Sequence, residues 1–192
     1  MKIQGFLRVN FQSKCPSSYF ILSLFILAFG VLGLMFVFSI GPLNEKIGSP
    51  IFDLRPMGYS YEEALYILSQ LDDEWRSFYL FPQLFLFDIL YPFLLAIAMY
   101  YFGKRLLILN NLKFRGPYLF LISIPFWSMI FDYAENTCIS LMLQNTGNPS
   151  SFLVKISSSF SLLKSSTSTA AWIILLGLSI RYMIVKLRKA KL

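Results

Sequence analysis

Residues 19–40, YFILSLFILAFGVLGLMFVFSI, run for 22 positions without a charge. About 20 apolar residues cross a bilayer as a helix, so this stretch reads as a transmembrane span and sets the class of the chain. Lys2, Arg8 and Lys14 precede it. The run is too long for the core of a cleaved signal peptide, and no A-x-A site follows, so a retained signal anchor is expected. Of the 192 residues, 56% are hydrophobic and 18% aromatic, more than a soluble domain of this length has use for. Residues 80–102, 117–141 and 162–181 also reach span length, the first two with acids inside them. The expected fold is all-α: a four-helix transmembrane bundle, one integral membrane domain over residues 1–192 with the lipid bilayer as its partner.

Charge placement orients the spans. Twelve of the 17 basic residues lie in the amino-terminal arm, in the loop holding Lys104, Arg105, Lys113 and Arg115, and in the tail from Arg181. Seven of the ten acids lie in the first loop, residues 41–79. The positive-inside rule then places both termini in the cytoplasm, in a cell (plasma or inner) membrane. The net charge of +7 follows from this placement beside anionic lipid and does not call for nucleic acid. Cys15 and Cys138 fall on opposite sides of the membrane and cannot pair within one chain, and there is no C-x-x-C motif. Zero histidines remove His-based metal sites, His general bases and Ser-His-Asp triads.

The 41–79 loop is too long for a simple connector. Ser60 and Glu63 form an S-x-x-E capping box. Beyond it Tyr61, Leu65, Leu68, Leu71 and Trp75 recur at helical spacing. An amphipathic helix over residues 61–73 is expected on the outer interface, followed by an aromatic belt. From residue 151 to the end Gly177 is the only helix breaker, so one long helix projecting past the bilayer is expected.

Within the spans lie Asp88, Asp132, Glu135, Asn136 and Lys164. With a rise of 1.5 Å per residue and a core about 30 Å thick, Asp88 and Asp132 lie roughly 7 Å below the outer surface, Lys164 roughly 4 Å and Glu135 roughly 3 Å. Three spans thus bring charge to one slab. Asp132, Glu135 and Asn136, at i, i+3 and i+4, share a face, which Ser128 extends. Ser157, Ser161, Lys164 and Ser168 form a second polar stripe. Pro92 and Pro125 free the carbonyls of Asp88 and Leu121, which membrane helices tolerate where they face protein or a wet cavity. The expected site is an outward-facing polar cluster, Asp88, Asp132, Glu135, Asn136 and Lys164, with Arg55 or Arg76 contributed by the loop. Three acids to one base leave it short of positive charge, as suits a cation, a proton or an amine. The bland alternative is interhelical glue that sets register.

The segments PMGYSYEEA, FDYAEN and FSLLK resemble a pattern in uncharacterised small four-span integral membrane proteins with a D-x-x-E-N motif in the third span. The resemblance covers residues 55–181. It implies that Asp132, Glu135, Asn136 and Lys164 belong together, and it brings no activity with it.

Three functions fit these residues. The first is binding or transport of a cation, proton or small amine-like ligand, by a homo-oligomer if transport is involved. The second is a structural or accessory subunit packed on a membrane partner, with Gly30 and Gly33 allowing close helix approach. The third is a lipid-modifying enzyme, with Asp88, Asp132 and Glu135 as ligands of a hard cation and Ser161, Ser165 or Ser168 as nucleophile. No motif requires the third, and no cofactor is expected.

Overall fold

Helix α1 (Ser18–Ile47) starts where the Ser17 hydroxyl accepts the Phe20 amide at 3.2 Å, an N-cap. The structure, a computed structural model, describes residues 16–112, 115–145 and 149–190. Lys2, Arg8, Lys14, Cys15, Lys113, Asn148 and Lys191, on which some of the expectations above rest, lie outside these residues. Among the described residues every regular element is helical.

The first span was expected to end at residue 40, before Gly41 and Pro42. The helix instead continues to Ile47 by widening into π-type turns over Phe36–Ile40. The Gly41 amide donates to the Phe36 carbonyl five residues back, a shifted ladder that carries the chain past Pro42. A Cβ at Gly41 would stand 3.0 Å from that carbonyl oxygen, so the shift suits glycine. Gly48, at φ +72°, ends the helix in the left-handed region.

The chain then folds back over the end of the bundle. The Asn44 side chain accepts the Ile51 amide at 2.9 Å, and a 3-10 turn follows at Phe52–Leu54. Gly58 has φ +81°, and a Cβ there would come within 2.5 Å of the Ser158 hydroxyl. Only glycine suits both the backbone region and the contact. Beside it the Tyr59 amide donates to Ser158 at 2.9 Å and the Tyr59 hydroxyl to Ser157 at 2.6 Å. Burial pushes the Tyr59 phenol well above its ordinary range, which keeps it a donor.

Helix α2 (Tyr61–Ser69) opens on the expected capping box. The Glu63 amide donates to Ser60 at 3.2 Å, and the Ser60 amide donates to the Glu63 carboxylate at 2.7 Å. It stops earlier than residue 73, because Asp72 accepts the Trp75 amide at 3.0 Å and starts a new helix. Its buried residues are Ala64, Ile67 and Leu68, so the inner face is rotated from the one read through Leu65 and Trp75.

Helix α3 (Asp73–Leu109) is broken at Phe81, φ −138° and ψ 123°, the extended conformation favoured before Pro82. It runs on past residue 102 until the Asn110 amide group donates to the Leu106 and Leu178 carbonyls at 2.9 and 3.0 Å. Helix α4 (Pro117–Gln144) and helix α5 (Ser151–Ala190) complete the bundle. At 40 residues, α5 is about 60 Å long. α4 packs most extensively on α5, and α3 touches α1, α4 and α5. Gly103 lets α3 approach α4, for a Cβ there would meet Ile122 at 2.9 Å.

Among the described residues three helical stretches are long and apolar enough to cross a membrane: Ser18–Ile47, Asp73–Leu109 and Ser151–Arg188. They bury little of themselves. Phe20, Leu22, Ile26, Leu27 and Phe29 of α1 are exposed, as are Trp172, Ile173 and Leu176 of α5. Apolar side chains turned outward along a long helix fit a lipid surround.

Candidate functional site

Lys164 of α5 reaches between two carboxylates of α4. Its Nζ lies 2.9 Å from Asp132 Oδ1 and 2.6 Å from Glu135 Oε2. The other Glu135 oxygen accepts the Ser161 hydroxyl. Glu135 is 0% exposed and Ser161 1%, so this side of the knot is sealed between the helices. Ser128 of α4 adds a bond to the Lys164 carbonyl at 3.1 Å. The i, i+3 step from Ser161 to Lys164 puts both on the α4-facing side of α5.

Beside the knot is a cavity of about 370 Å³. Its walls come from α1, the 3-10 turn, α3, α4 and α5. Asp53, Asp88, Asp132 and Lys164 line it, and so do Leu32, Met35, Leu95, Ala96, Met99 and Met129. Lys164 keeps 20% of its side-chain surface exposed and lines this space. Pro92 and Pro125 lie in the wall, inside α3 and α4 respectively.

Two of the lining carboxylates have neutral partners. Asp88, 4% exposed, accepts from the Gln83 amide at 2.9 Å. Asp53 accepts from the Tyr79 hydroxyl at 2.8 Å, and its other oxygen is buried without a hydrogen bond. With Glu135 behind, four carboxylates and one ammonium gather here, and Asp132 and Glu135 are the two that pair with the ammonium.

Of the five residues read from sequence, Asp88, Asp132 and Lys164 share the cavity and Glu135 backs it. Asn136 does not join them. It is 8% exposed, and neither side-chain polar atom has a hydrogen-bond partner. Arg55 and Arg76 do not contribute either. Arg55 pairs with Glu63 at 2.5 Å, and Arg76 donates to the Leu68 carbonyl at 3.2 Å. The loop supplies an acid, Asp53, in their place. Asp53 was hidden among seven loop acids, though its apolar setting, SPIFDL, was a signal. Gln83, the one polar residue in LFPQLF, was another.

Asp88, Asp132 and Glu135 do not form a cation cage. The Lys164 ammonium occupies the point between Asp132 and Glu135 that an ion would need, and no group of three His, Cys, Asp or Glu among the described residues is placed to hold a metal. Of the three candidate serines, Ser168 lines the cavity and the other two are engaged. Ser161 is buried against Glu135 and does not line the cavity. Ser165 spends its hydroxyl on the Ser161 carbonyl at 2.7 Å, ordinary helix back-bonding. No family model, curated protein or solved structure matches the chain.

Proposed function

We propose that this chain is a four-span membrane protein, α1, α3, α4 and α5 crossing the bilayer with both termini cytoplasmic, that binds a cation, a proton or a small amine-like ligand in the cavity. The observation that carries this reading is the cavity wall, where Asp53 and Asp88 are held by neutral groups while the one ammonium is engaged by Asp132 and Glu135. Uncompensated carboxylates at membrane depth are costly unless a proton or a cationic guest balances them. The segment Ile51–Tyr59 covers the outer end of the bundle in this reading and brings Asp53 to the site.

Two experiments test it. In a Cys15→Ser background, Met57→Cys, at a position 83% exposed, is labelled by an impermeant maleimide in intact cells, whereas Arg188→Cys is labelled only after lysis. The opposite pattern overturns the topology. Calorimetric titration of the protein in nanodiscs with sodium, methylammonium and tetramethylammonium, from pH 5 to 9, detects binding that Asp88→Asn removes. Absence of any cation or proton effect overturns the site.

The second reading is an accessory subunit with the charges as interhelical glue. The full engagement of Lys164 favours it. So do Gly30 and Gly33, which have nothing within 4 Å of an added Cβ and leave a face of α1 open to another helix. Co-purification of one stoichiometric membrane partner, lost in Gly33→Leu, identifies that role.

A further inference from the structure

The shape of the cavity says more than its charge. Its acids lie at one end. From Asp88 the lining follows α3 through Leu95 and Ala96 to Met99, about 16 Å along the helix at 1.5 Å per residue. On the opposite wall the hydroxyls of Ser128 and Ser165 already donate to backbone carbonyls, and Ser168 and Thr169 line it as well. Beyond the carboxylates the lining is mostly hydrocarbon and methionine sulfur, from Leu32, Met35, Leu95, Met99 and Met129, with the hydroxyls of Ser168 and Thr169 set among it.

A bare inorganic ion needs a tight cage of oxygens and would leave most of a 370 Å³ space without contacts. An apolar volume of that size is dry or holds an apolar body, and ligand pockets typically combine such a lining with a few placed polar groups. We propose that the guest is a single-tailed amphiphilic amine, its ammonium facing Asp53 and Asp88 and its tail lying along α3 toward Met99. This rests on the cation-site reading given above and narrows it from cations in general to amphiphilic ones.

The test is a ladder of n-alkylammonium ions, two to twelve carbons, titrated into the protein in nanodiscs, with alkyl sulfates of equal length as controls for partition into lipid. Affinity is expected to rise ~fourfold per methylene and to level off once the tail fills the cavity. Ala96→Leu should move that plateau to shorter chains. Ser168→Leu, on the facing wall, is the second blocker should Ala96→Leu not fold. Asp88→Asn should weaken every member of the ladder. If short amines bind but added methylenes bring nothing beyond the sulfate control, the amphiphile inference is overturned and the cation site stands. If no amine binds above that control, or Asp88→Asn changes nothing, both readings fall.

Discussion

At the loop end of the molecule Ile40, Leu43, Phe52, Ile67, Tyr79, Leu84 and Leu143 are buried together, drawn from α1, the 3-10 turn, α2, α3 and α4. Along the shafts the second cluster holds only Met99, Leu106, Ala171 and Leu175 among the described residues. Around it Leu109, Trp172, Ile173, Leu176 and Ile180 face outward. The loop end is built as a water-soluble domain is, with apolar groups inside and Glu62, Asp73 and Glu74 outside. The shafts bury small contacts and expose large ones. Water drives the first arrangement. In lipid that drive is missing, and packing and polar contacts must hold helices together. In the four-span reading the charged site lies where the two regimes meet.

If that division is right, the largest effects belong to the knot, where packing cannot substitute for charge. Lys164→Met should cost about 3–5 kcal/mol, because it strands Asp132 and Glu135 together, and Glu135→Gln should cost less, because Lys164 keeps Asp132. The double variant should recover the part of the Lys164→Met loss that comes from Glu135, while Asp132 stays unpaired. Denaturation of the purified protein measures all three, and single variants as stable as wild type would remove the knot from the comparison.

The next test sets the two regions against each other. Ile67→Ala, fully buried at the loop end, should cost about 2–5 kcal/mol. Leu175→Ala, 3% exposed in the shaft, should cost clearly less in bilayer nanodiscs, since lipid offers no hydrophobic transfer term. Equal losses would mean that the shaft, too, is organised by water.

Smaller effects concern how the loop is held. Gly58→Ala should cost about 1–2 kcal/mol from the left-handed backbone alone, with the clash against Ser158 added, and should weaken amine binding by displacing Asp53. Ser60→Ala should cost about 1 kcal/mol through loss of the cap, with no effect on binding. Differential scanning fluorimetry with and without an amine separates the two.

The smallest effect is on pH. The backbone amide of Ser60, with Arg55 beside it, holds Glu63 below the usual glutamate range. The Trp75 amide, with Lys46, does the same for Asp72. In both cases the unfolded chain takes up protons first as pH falls. Their contribution is therefore present above the ordinary carboxylate range and lost as pH drops through the lowered values. Both side chains are exposed to screening solvent. A melting-temperature profile should decline gently on acidification, and Glu63→Gln with Asp72→Asn should flatten it.

Much of this was legible in the chain because charge in an apolar run is conspicuous. Asp88, Asp132, Glu135 and Lys164 stood out, and the helical rise alone brought them to one level. Rotation was harder to read. Glu135 turns about 60° one way from Asp132 and Asn136 about 40° the other, and Lys164 sits on the Glu135 side, which leaves Asn136 apart. Asp53 was illegible for a different reason. Its position depends on how residues 48–60 fold back, through the Asn44 cap and the close passage of Gly58, and no periodicity records that. The ends of α1 and α2 were misread because the π-type turn and the Asp72 cap redirect the ladder locally.

The pairing of α4 with α5 has a consequence for how the protein is made. α4 carries two carboxylates and does not count among the three stretches apolar enough to cross alone, while α5 carries the ammonium that pairs with both. In the four-span reading, α4 entering the bilayer by itself would take unpaired charge with it. The two helices therefore have reason to leave the insertion machinery together, as a hairpin with its ion pairs already closed.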